Sequence, residues 1–133
     1  MKSEAKKKER NFMVKATALQ EDVKEADNYL RGYIINQKLL RLDRYERTYL
    51  GYRDSEESVT ADIPLAKAKM FEIRHFITDM GNCDEKLFLY YHYIRGETVE
   101  KCAELLGISR SSGFRLKKRA LFMAAELKKR KNP

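Results

Sequence analysis

Residues 98–121, TVEKCAELLGISRSSGFRLKKRAL, decide how this chain is read. They predict two helices joined by a tight turn, the second crowded with cations. Thr98 is a fair N-cap, because its hydroxyl can accept from a free amide of the first turn. Lys101 stands three residues on, where a reciprocal capping box needs an acid, so that box is absent. Val99, Cys102, Ala103 and Leu106 form the inner face of the first helix, and Ala103 is small enough to let the second helix cross closely. Gly107 supplies the left-handed backbone that the sharp turn needs. Ile108 plugs the corner and Ser109 caps the second helix. Gly113, Leu116 and Ala120 then fall inward, with Gly113 where an aliphatic residue is more usual. The pattern is that of a helix-turn-helix, which makes double-stranded DNA the expected partner.

Charge sharpens that expectation. The chain carries 28 Lys and Arg against 20 Asp and Glu, a formal +8. Residues 107–133 hold nine of the cations and a single anion, Glu126, so they account for the whole excess. The other residues are neutral in sum. A field of one sign on one surface concentrates and steers a polyanion. The alternative use of such a segment is a solvated helix end with a basic tail.

Working outward, 133 residues support one domain, or a small domain with an extended arm. Six glycines and two prolines among 36% charged residues suit an all-α protein. Phe12, Ala16, Leu19, Val23, Ala26, Leu30 and Tyr33 recur at alternating spacings of four and three, a heptad seam that Leu40 continues. Ile34, Ile35, Leu39, Leu42, Tyr45 and Tyr49 widen the apolar surface. A helix from Phe12 to about Leu50, C-capped by Gly51, would be about 58 Å long. It either bends or breaks near Gly32, making a helical hairpin, or extends outward and pairs with a second copy; a third arrangement lays it across the C-terminal core. Met1 to Arg10, of mixed charge, is expected to fray.

Residues 51–64 break the periodicity, are polar and acidic, and end at Pro64; they are read as a linker. The expected organisation is therefore an oligomerisation arm over 1–50, a linker over 51–64 and a DNA-binding domain over 65–133. In that last part a helix is expected from Leu65 to Met80 and another from Glu85 to Arg95, capped by Asp84, with Leu87, Leu89, Tyr90, Tyr93 and Ile94 mostly inward.

On the second helix of the hairpin the outward set is Arg110, Ser111, Phe114, Arg115 and Lys118. With Ser109 at the helix start, Arg110, Ser111, Phe114 and Arg115 are the expected base-reading residues. An arginine fork on guanine acceptors is worth about 1–3 kcal/mol of discrimination. Phe114 either touches a thymine methyl or folds back onto Leu121. Arg95, Thr98, Lys117, Lys118 and Arg119 are expected on phosphates, where they set register rather than sequence choice.

The segment YIRGETVEKCAELLGISRSSGFRLKKRAL resembles the C-terminal promoter-reading domain of sigma factors, region four, and still more the small phage late-gene regulators of the RinA and ArpU type. The upstream FEIRHFITDMGNCDEKLFLYYHYIRG is similar to their preceding helices, so the resemblance covers roughly residues 70–127. It implies a sigma region-four-like bundle and a sequence-specific regulator of transcription from a phage or prophage promoter, with RNA polymerase as a further partner. It carries groove reading onto Ser109, Arg110, Ser111, Phe114 and Arg115. No sigma-type promoter-melting module is evident in the sequence.

Other chemistry finds little support. His75 and His92 are not at metal-ligand spacing with Cys83 or Cys102, which are read as reduced thiols. No phosphate loop, nucleophile elbow or carboxylate pair is evident, so no catalytic residue, cofactor or metal is expected and the chain is not read as an enzyme. The sequence holds no apolar run that could cross a bilayer and no signal peptide, so a cytoplasmic protein with no membrane partner is expected. The expected assembly is a homodimer through residues 12–50. The competing readings are a DNA-packaging protein like a terminase small subunit, which would form a ring, and a polymerase-binding module that never touches DNA.

Overall fold

The structure is a computed structural model that describes the backbone of residues 2–49 and 59–131 and the side chains of 20–49 and 63–131. The fold is all-α: a long N-terminal helix followed by a C-terminal bundle, with no strand among the described residues. Helix α1 spans Lys2–Tyr49 and α2 spans Val59–Thr78. A short α3, Asp84–Leu89, runs directly into a π-helical turn, Tyr90–Ile94. Helix α4, Val99–Leu106, and helix α5, Arg110–Lys131, complete the chain.

Helix α1 is continuous, about 72 Å long, and does not break at Gly32. Gly32 is instead a contact point: a Cβ there would lie 3.2 Å from Ile73 Cδ1 of α2. The helix also begins at Lys2 rather than fraying to residue 10, in keeping with a first segment of lysine, glutamate and alanine, all good helix formers. The expected cap at Gly51 lies outside the described residues.

The middle of the heptad seam is used within the chain. Ala26, Leu30 and Tyr33 are buried, and Val23 packs against the same cluster. That cluster contains Ile73, Phe76 and Ile77 of α2, Phe88 and Leu89 of α3, and Leu116, Ala120, Leu121, Ala124 and Ala125 of α5. The core therefore does not divide at the expected arm boundary; α1 lies across the bundle and shares its interior. Helix α2 likewise starts at Val59, inside the expected linker, and carries Pro64 within it. A proline one turn into a helix removes a single backbone hydrogen bond, which burial of the rest of the helix can outweigh.

In α3 the N-cap is Cys83, not Asp84, and no side chain caps it. Asp84 and Glu85 lie in the first turn, where their charge favours the helix dipole. Phe88 is fully buried and Leu87 exposed, the reverse of the periodicity reading. The widened turn at Tyr90–Ile94 supplies the reason: one extra residue per turn shifts the helical phase, so Leu89 and then Tyr93 and Ile94 stay inward.

Two polar ties hold this turn. The Tyr93 hydroxyl donates to Asp27 Oδ1 of α1, whose other oxygen pairs with Arg31 Nε at 2.9 Å. Burial, then the Asp27 carboxylate, push the Tyr93 hydroxyl far above its ordinary value. His92 Nδ1 lies 2.7 Å from the Glu97 carbonyl, and burial holds its imidazole below the usual 6.5.

Candidate nucleic-acid interface

The hairpin of α4 and α5 is built by local chemistry. The Thr98 hydroxyl accepts from the Lys101 amide at 3.1 Å and so caps α4. Gly107 ends α4 with φ +70°, in the left-handed region. Ser109 Oγ accepts from the Ser112 amide at 3.2 Å and caps α5. Gly113 departs from the usual aliphatic for a geometric reason: a Cβ there would lie 2.9 Å from Ala103 Cβ, closer than carbon atoms pack. Two small residues thus let α4 and α5 cross nearly backbone to backbone, and this crossing fixes how the start of α5 projects.

The outward set is exposed. Arg110, Ser111, Phe114, Arg115 and Lys118 face solvent, as do Ser109 and Arg119, while Lys117 is half-buried beside the core. Phe114 is 43% exposed and does not fold under the bundle; the Arg110 guanidinium sits 5.9 Å from its ring centroid. Arg110 also pairs with Glu100 of α4, Nη2 to Oε1 at 3.3 Å. A groove contact by Arg110 would have to break that exposed pair, which is a weak one. Among the described residues Arg115, Lys118 and Arg119 have no ion pair or hydrogen bond, so their full donor capacity faces outward. Arg95 is exposed where the π turn ends, and Thr98 is exposed at the start of α4; both border the hairpin rather than the α5 face.

The sequence reading missed Phe122. It is 38% exposed and lies seven residues after Arg115 and four after Lys118, so all three share one face of α5. The signal was legible, because the spacing simply continues past Leu121.

The far end of α5 is arranged otherwise. Lys129 pairs with Asp22 of α1, and Lys131 with Asp79 after α2. Lys131 holds the Asp79 carboxyl below the ordinary carboxylate range. Lys128 and Lys69 lie 5.0 and 4.9 Å from the centroid of the Tyr29 ring. Burial and the neighbouring Glu72 push the Tyr29 hydroxyl up to about 12.

Among the described residues no three His, Cys, Asp or Glu side chains are grouped to hold a metal ion. Cys102 is buried in the core and Cys83 is a free thiol far from it in sequence. Among the described residues no helix is long and apolar enough to cross a membrane. No protein-family model matches the chain, and neither a curated protein nor a solved structure is similar to it.

Proposed function

We propose that this protein is a sequence-specific DNA-binding regulator of transcription that inserts the first half of α5 into the major groove and works as a homodimer. The observation that carries the proposal is the exposed α5 face on which Arg115, Lys118 and Arg119 have no ion pair or hydrogen bond among the described residues, beside a hairpin closed by the Ala103–Gly113 crossing. Free guanidinium and ammonium groups on one projecting helix suit phosphates and guanine edges. Arg115 is the leading base reader, with Ser111 and Phe114 beside it; Arg119, Lys118, Arg95 and Thr98 set the register on phosphates. The resemblance to sigma region four and to RinA- and ArpU-type regulators supports a phage or prophage promoter as the target and RNA polymerase as a further partner.

Selection of bound duplexes from a random pool tests the proposal. It is expected to return one consensus, in two half-sites if the dimer binds as a unit. Arg115→Ala is expected to cut the ratio of consensus to random affinity by about tenfold or more. Arg119→Ala is expected to weaken both about equally and to flatten the salt dependence by about one phosphate's worth. A pool that yields no consensus, with affinity that tracks salt alone, would overturn sequence-specific reading.

A further inference from the structure

Helix α1 has two faces beyond Gly32. Tyr33 and Asp43 are buried, and the flank they share is packed. The opposite flank carries Ile35, Leu39, Leu42, Tyr45 and Tyr49, all large and all exposed, from 48% at Leu39 to 72% at Tyr49. At 100° per residue they lie within an arc of about 120° along about 21 Å of helix. Together they show on the order of 600 Å² to solvent, at the upper end of what a monomer usually leaves in one patch. The Tyr45 and Tyr49 rings stack against each other, 4.9 Å between centroids, and extend the surface.

We propose that this stripe binds the same stripe of a second copy, antiparallel, about a two-fold axis at Leu42. The residues equidistant from Leu42 match when one helix is turned against the other. Leu39 and Tyr45 lie three residues either side, and Ile35 and Tyr49 seven. Lys38 and Glu46 lie four either side, on the same arc. Antiparallel pairing therefore sets each Lys38 against the partner's Glu46, twice by symmetry, around an apolar centre. Parallel pairing would set like charges together at both places. The area is also of the right order, since a stable interface buries about 800 Å² per partner and the stems of Lys38 and Glu46 add to the five side chains. A foreign partner would not need the chain to be self-complementary about one leucine.

This inference deepens the dimeric part of the proposed function and rests on it. Its test contains no DNA, so it fails or stands apart from groove reading. Light scattering on the full chain is expected to give twice the 15.7 kDa chain mass. Leu42→Glu, at an exposed position, is expected to give a monomer with an unchanged helical circular dichroism spectrum. Lys38→Glu is expected to weaken the dimer about tenfold, and addition of Glu46→Lys to restore it. In a Cys83→Ser background Leu42→Cys is expected to cross-link to itself on oxidation; Lys38→Cys is expected to cross-link only when mixed with Glu46→Cys. A monomeric wild type, a Leu42→Glu dimer, or self-cross-linking of Lys38→Cys would each overturn the arrangement. The first would also remove the dimer from the proposed function while leaving duplex binding to be measured alone.

Discussion

The two halves of α5 carry the same kind of charge and put it to different use. In the second half Lys129 and Lys131 reach carboxylates of α1 and of the α2–α3 turn, and Lys128 lies near the face of Tyr29. Ala120, Leu121, Ala124 and Ala125 beneath them are buried against the α1 core. In the first half Arg115, Lys118 and Arg119 have no ion pair or hydrogen bond among the described residues, while Leu116 is buried in the core and α4 braces the helix across Gly113. The difference teaches that a basic segment is not one functional unit. Lys129 and Lys131 fasten the helix to the body; Arg115, Lys118 and Arg119 have no such ties among the described residues.

The largest effect should come from loosening the fastened half. Leu30 is fully buried in the cluster under it, and Leu30→Ala is expected to lose about 2–5 kcal/mol in denaturant unfolding. Affinity for a duplex, per folded molecule, should hold; if it falls as far as stability does, the two halves are not separate. Gly113→Ala attacks the other brace. The added methyl would meet Ala103 Cβ, and a loss of about 1–3 kcal/mol is expected, with Ala103→Gly in the same chain recovering part of it. Here duplex affinity should fall too, because the projection of Arg115 depends on that crossing. Lys129→Ala with Lys131→Ala is expected to leave duplex affinity within about threefold, since both side chains are already engaged.

The smallest effect is set by pH. The His92 imidazole faces Lys117 of α5, Asp27 and Arg31 of α1 and the Glu97 carbonyl, and burial lowers its proton affinity. The folded state thus prefers it neutral. Its contribution is whole above the ordinary 6.5 and is lost as pH falls through the lower, folded value. The thermal midpoint is expected to decline from about pH 7 to about pH 5, and His92→Gln to remove that part of the decline. An unchanged slope in the variant would assign the decline to other groups.

The hairpin was legible because each of its parts is a local device. A threonine and a serine cap, a glycine forces the left-handed turn, and small residues mark the crossing. All-α architecture followed from periodicity for the same reason. The placement of α1 was not legible, since a heptad seam looks identical whether its cover is another copy or its own bundle. Only the tertiary arrangement sends Ala26, Leu30 and Tyr33 inward and leaves Leu39, Leu42 and Tyr49 out. Leu87 and Phe88 changed places because a π turn alters the period itself, which regular spacing cannot announce. The division of cations along α5 was hidden too, because Asp22 and Asp79 are distant in sequence from the lysines they hold.

The central claim is tested most directly by titrating a selected duplex at two salt concentrations with two double variants. Arg115→Ala with Lys118→Ala removes unengaged cations; Lys129→Ala with Lys131→Ala removes engaged ones. The first is expected to bind at least about tenfold more weakly and to flatten the salt slope, and the second to bind nearly as the parent does. Equal losses in both, or a greater loss in the second, would contradict the account.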